Sequence, residues 1–188
     1  MRTLNGQILA AAMRLRHGGG YRFEPEPRLP SDPTNPRDPH HDGVTRDLSW
    51  RGERVARAAA DGATFCCGVT FEAWLDADPP LGDLGALELR EVLADWFCPV
   101  MGHAGAAEAL VNRGLGRRVT LRSARPGDLC QRWRSTDLAA PSGHSVVFLD
   151  HRDGWLTYWS SQRATDGVGV HRERVGRGWT VDLARALG

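Results

Sequence analysis

The hydrophobic period of this chain changes once, near Arg118, and that change most constrains what it can fold into. Before it, apolar residues recur at helical spacing. Leu4, Ile8, Leu9, Ala12, Met13 and Leu15 mark one helix over 4–16, ended by Gly18-Gly19-Gly20. Residues 48–60 read as a second helix capped by Asp47 or Ser49. Residues 64–75 read as a third, with Thr64 as N-cap and apolar positions 67, 71, 74 and 75 on one face. Pro79-Pro80 stops it, and residues 84–97 and 103–112 give two more. After Arg118 the runs are short and β-rich, over 119–121, 128–133, 144–149, 155–159 and 169–171. Turn signals separate them: Arg125-Pro126-Gly127, Pro141-Ser142-Gly143 and Arg152-Asp153-Gly154, the last a hairpin signal. A last short helix is read over 180–187. Helices followed by an antiparallel sheet of about five strands define an α+β chain, one domain over 1–188.

Composition narrows the function. Twenty-four basic residues against twenty-three acidic ones leave +1, no footprint for nucleic acid or an anionic membrane. Every basic residue is Arg, so a Schiff-base lysine and a P-loop are excluded. No apolar run approaches the roughly 18 residues of a membrane span, so no membrane span is expected. The N-terminus reads as an amphipathic helix and not as a signal peptide, so the chain is expected in the cytoplasm as synthesised, with export by a leaderless route open to it. Residues 24–43 hold six prolines and read as a surface insert. Four cysteines, two of them adjacent, do not make a disulfide framework.

Chemistry-bearing residues stand at three places. Cys66-Cys67 opens a predicted helix, where unpaired N–H groups and the helix dipole favour a thiolate; two buried structural thiols are the competing reading. His144 starts a strand after Gly143 and suits a base for such a nucleophile. Tyr158, Ser160 and Gln162 share one face of the next strand, where Gln162, or Ser160 beside it, can orient the imidazole. Weaker candidates are Cys98 with His103 as a rival pair, and Asp38, His40, His41 and Asp42 as metal-ligand types in a Pro-rich loop. No metal site and no cofactor is expected. Cys130 reads as core, and Trp155 and Trp159 as core or as walls of a cleft.

These residues resemble a known family. Cys66-Cys67-Gly68 at the head of a helix, then Arg125-Pro126-Gly127-Asp128-Leu129, then Gly143-His144 running into Val146-Val147-Phe148-Leu149, is similar to the NlpC/P60 and CHAP cysteine peptidases. These are papain-like cell-wall amidases and endopeptidases. Gly20-Tyr21-Arg22-Phe23 resembles a further segment of the pattern, and the likeness spans about residues 4–165 with long inserts after Tyr21 and after Trp74. The resemblance implies a papain-like fold with N-terminal helices packed on the sheet. It implies Cys66 as nucleophile, His144 as base, Cys67 pointing inward in a serine slot, and Tyr21 donating to the oxyanion or substrate. The implied substrate is a peptidoglycan stem peptide or another small amide, with no protein partner specified. Three residues depart from the pattern: Phe65 stands where an acid is usual, Ser160-Ser161-Gln162 fills the third position, and Ser145 follows the histidine. A papain-like acyltransferase or protein deamidase, and a non-catalytic binding module on the same fold, are the alternatives.

Overall fold

A computed structural model describes residues 3–23, 30–32, 35, 38–98, 102–137 and 139–188. Helix α1 (Leu4–Arg14) is capped by the Thr3 side chain, which accepts from the Gly6 amide, and it buries Leu4, Ile8, Ala11 and Ala12. Helices α2 (Cys66–Leu75), α3 (Ala86–Trp96) and α4 (Gly105–Asn112) follow. Helix α2 is buried along its whole length, in keeping with its nearly all-apolar sequence. Phe71, Trp74 and Trp96 pack with ring centroids 5.4–5.5 Å apart, and the Trp96 indole donates to Thr70.

The main sheet is antiparallel and has seven strands where the sequence suggests about five. They are β1 (Gly18–Gly19), β4 (Gly116–Val119), β5 (Leu129–Ser135), β6 (Ser142–Arg152), β7 (Trp155–Gln162), β8 (Gly167–Arg174) and β9 (Thr180–Ala186), in the order β1-β8-β7-β6-β5-β9-β4. The Asp153-Gly154 turn has positive φ at both residues (53° and 76°), as a tight hairpin between β6 and β7 requires. Helix α2 lies across β6 and β7.

Three local expectations are corrected. Residues 48–60 form no helix but a hairpin, β2 (Leu48–Trp50) and β3 (Glu53–Ala56). Arg51 and Gly52 both take positive φ, 51° and 85°, in the turn, and the outward Glu53 and Arg54 precede the buried Val55 and Ala56. Residues 180–187 form strand β9, because pairing with β4 on one side and β5 on the other outweighs the helix propensity of Leu183, Ala184, Arg185 and Ala186. The 24–43 insert is not all surface. Residues 24–29 and several further positions lie outside the described residues, but Asp42 is fully buried. Its carboxylate accepts from the Ser31 amide (2.7 Å), the Ser31 hydroxyl (2.6 Å) and the Arg57 amide (2.6 Å).

The Arg125-Pro126-Gly127-Asp128 turn is a structural knot. Gly127 takes φ 91° and lies against the Asn5 backbone, and the buried Asp128 carboxylate accepts from Asn5 (2.6 Å), the Arg125 amide (2.7 Å) and Arg185 (2.8 and 2.9 Å). That single carboxylate ties α1, the turn and β9 together.

Candidate functional site

Phe65 occupies the N-cap position of α2 with extended backbone and offers no side-chain acceptor, so the first amides of the helix, those of Cys66, Cys67 and Gly68, are not capped by it. Thr64, expected to be the cap, instead bonds across to the sheet: its hydroxyl lies 2.7 Å from that of Ser161. Its backbone zips to the segment before the insert, through Thr64 N–H to Gly20 O (3.0 Å) and Arg22 N–H to Thr64 O (3.1 Å). This places Tyr21 beside the two thiols. On the other side, the Phe65 amide donates to Gly43 O (3.2 Å), and Gly68 lets the Asp42-Gly43 backbone press against the helix. The Phe65 ring packs edge-on against Phe23, His41 and Phe97, an apolar role for the position where the resemblance has an acid.

His144 is brought to Cys66 by the start of β6. One ring nitrogen, Nε2, lies 3.0 Å from Gln162 Oε1. The Cys66 thiol is held well below its ordinary pKa. The hydrogen bond from the Cys67 thiol acts most strongly, burial opposes it, and the charge and hydrogen bond of His144 and the Ser145 amide add to it. The same contact, with burial and the negative charge of Cys66, pushes Cys67 well up. The sulfurs are 3.8 Å apart, Cys67 also reaches the Ser145 hydroxyl (3.6 Å), and that hydroxyl donates to Gln131 Oε1 (2.6 Å). Cys67 therefore reaches a buried polar pair, and Cys66 is the more acidic of the two thiols. Burial first, then the two thiols, push the Tyr21 phenol upward, so it keeps its proton and can donate.

These groups open on a cleft of about 670 Å³, the size of an ordinary small-molecule site, lined by Tyr21, Cys66, Cys67, His144 and Gln162 among others. Two expected site residues lie elsewhere. Ser160 does not hold the imidazole: its hydroxyl donates to the Ser145 carbonyl (2.7 Å) and so fixes the strand behind Cys67. Trp159 does not wall the cleft: it is fully buried in the main core with Trp74 and Val147, because alternation turns it to the opposite face from Tyr158.

The weaker candidates are occupied locally. His103 Nδ1 lies 3.3 Å from Glu108, and the Cys98 thiol points to Trp96 O (3.7 Å). His40 pairs with Asp38 (2.6 Å), the Gly43 amide donates to His41 Nδ1 (3.1 Å), and no group of three His, Cys, Asp or Glu among the described residues is arranged to hold a metal. Cys130 is wholly buried, and burial pushes its thiol up to about 12. Cleft residues not singled out from the sequence are Gln131, Arg132, Arg134, Arg163 and His171. They come from β5, from β8 and from the single helical turn after β7 (Arg163–Thr165), and only the folding of the sheet brings them together.

Compared with protein families, with curated proteins and with solved structures, the chain matches none of them. No helix among the described residues is long and apolar enough to cross a membrane.

Proposed function

We propose that the chain is a cysteine hydrolase of papain-like type that cleaves an amide bond, with Cys66 as nucleophile and His144 as base. The observation that carries this reading is one arrangement: a thiol at an uncapped helix start, lowered in pKa, facing an imidazole whose Nε2 is held by Gln162 at 3.0 Å, all on one cleft. The Cys66 thiolate adds to the amide carbonyl carbon. The Cys66 backbone amide and the protonated Tyr21 hydroxyl donate to the resulting oxyanion. His144, carrying the thiol proton, protonates the leaving nitrogen as the C–N bond breaks, and a thioester remains on Cys66. Water, deprotonated by His144, then displaces the sulfur and releases the acid. Gln162 acts through the imidazole and is a positioning residue.

The sequence resemblance makes a peptidoglycan stem peptide the first substrate to test. Purified muropeptides incubated with the protein and analysed by mass should give fragments gaining one water across an amide bond, and C66A should give none. Equal cleavage by C66A would overturn the assignment of the nucleophile. A stable modification of Cys66 that transfers to added amines in preference to water would make the chain an acyltransferase.

A further inference from the structure

The polar atoms left unsatisfied around the cleft are all donors. Arg132 is 1 % exposed and lines the cleft, yet its Nε and Nη1 have no acceptor; Gln162 gives its oxygen to His144, and its buried Nε2 has no partner either. Buried donors left in this state cost about 1–3 kcal/mol each, so a ligand that supplies acceptors is favoured strongly over one that supplies donors. The charges of the wall agree. Arg132, Arg134 and Arg163 line the cleft with His144 and His171, and no Asp or Glu does so among the described residues. Glu173 stands behind this wall and pairs with both Arg132 and Arg134. That leaves Arg163, beyond Gln162 on β7, whose guanidinium makes no hydrogen bond or ion pair with a described residue. Arg132 is also fixed in place: its Nη2 donates to the Tyr158 hydroxyl (2.9 Å), and its guanidinium stacks between the rings of Tyr158 (5.1 Å) and Trp179 (5.3 Å). A held, desolvated guanidinium with two donors to spare favours a neighbour that supplies acceptors, each donor taking its own.

We infer that the cleft selects an amide substrate carrying a carboxylate near the bond to be cut, with Arg132 and Arg163 as the residues that recognise it. Neither arginine belongs to the motifs of the sequence resemblance. The inference rests on the proposed function for its nucleophile, and the test separates the two.

Iodoacetamide and iodoacetate alkylate a thiolate by the same displacement of iodide, and the second carries an anionic, acceptor-only carboxylate where the first has a neutral amide. Their rates at Cys66, read by mass at residue level, are taken as a ratio and compared with the ratio for glutathione. The expected result is a preference for iodoacetate about tenfold above that of glutathione. That preference should fall roughly threefold in R163Q and by a similar factor in high salt. Should R132M fold, it should lower the ratio further. A wild-type ratio equal to that of glutathione, or one that R163Q leaves unchanged, overturns the inference while leaving Cys66 as a reactive thiolate. If neither reagent reacts with Cys66 faster than with glutathione near neutral pH, the nucleophile itself is refuted.

Discussion

Replacing Gly68 by alanine should destabilise the protein, against the usual direction for a glycine inside a helix. Helix propensity alone predicts a gain of about 1 kcal/mol from this change. At this site a Cβ would meet backbone and not a yielding side chain: it would sit 2.6 Å from Gly43 O and closer still to Asp42 O. The Asp42-Gly43 strap would have to retreat by about 1 Å to restore van der Waals separation. It is not free to do so, because Asp42 is anchored by Ser31 and Arg57 and Gly43 O accepts the Phe65 amide. Overpacking against fixed neighbours costs about 1–3 kcal/mol after relaxation. Set against the propensity gain, the net loss is about 1 kcal/mol, and the melting temperature of a chain this size should drop by roughly 2–4 °C. Thermal unfolding followed by circular dichroism reads this directly. An unchanged or raised melting temperature would refute the reasoning, because it would mean that the strap does not press on α2 as described.

Four further outcomes are expected. C67S should retain substantial activity, since a hydroxyl can still face Ser145 and Gln131; a loss as complete as that of C66A would reverse the roles of the two thiols. A thiol whose pKa is lowered on folding stays ionised as pH falls below its ordinary value, so iodoacetamide at about pH 6 should label Cys66 alone. Cys130, pushed up to about 12, should stay unlabelled, and peptide mapping distinguishes the two. Q162A should lower kcat up to about a hundredfold by freeing the imidazole, with little change in melting temperature. D42A should cost about 3 kcal/mol or more in chemical denaturation, because three buried donors, the Ser31 amide and hydroxyl and the Arg57 amide, lose their acceptor together.

Local chemistry made part of this architecture readable from the chain. The Asp153-Gly154 turn dictates a hairpin by its own backbone needs, and the apolar spacing around Leu89, Val92, Leu93 and Trp96 dictates a helix wherever it packs. Cys66 at a helix start, and Gln162 on the face of β7 that reaches His144, were legible for the same reason: helix position and strand alternation are local properties. What escaped depends on partners distant in sequence. The segment at 180–187 is a strand only because β4 and β5 flank it, and Ser160 is drawn from the imidazole by a carbonyl on β6. Arg132 looks like one more surface arginine until its register opposite His144 and its stacking on Trp179 are known. The hairpin over 48–56 was the exception, for its Arg51-Gly52 turn is a local signal that alternation around it supports.

The two ends of the seven-stranded sheet have a consequence for how the protein behaves at high concentration. One edge carries β1, two glycines long, which covers only Gly167 and Val168 of β8, and the other, β4, is four residues long and exposes Arg117 and Arg118. The outer side of β8 from Gly169 to Arg174 is unpaired by any described strand, and its exposed Arg172 and Arg174, like Arg117 and Arg118 on β4, repel a second copy of the same edge. Charge, more than length, therefore opposes strand-by-strand polymerisation at both ends of this sheet, and high salt should weaken that protection.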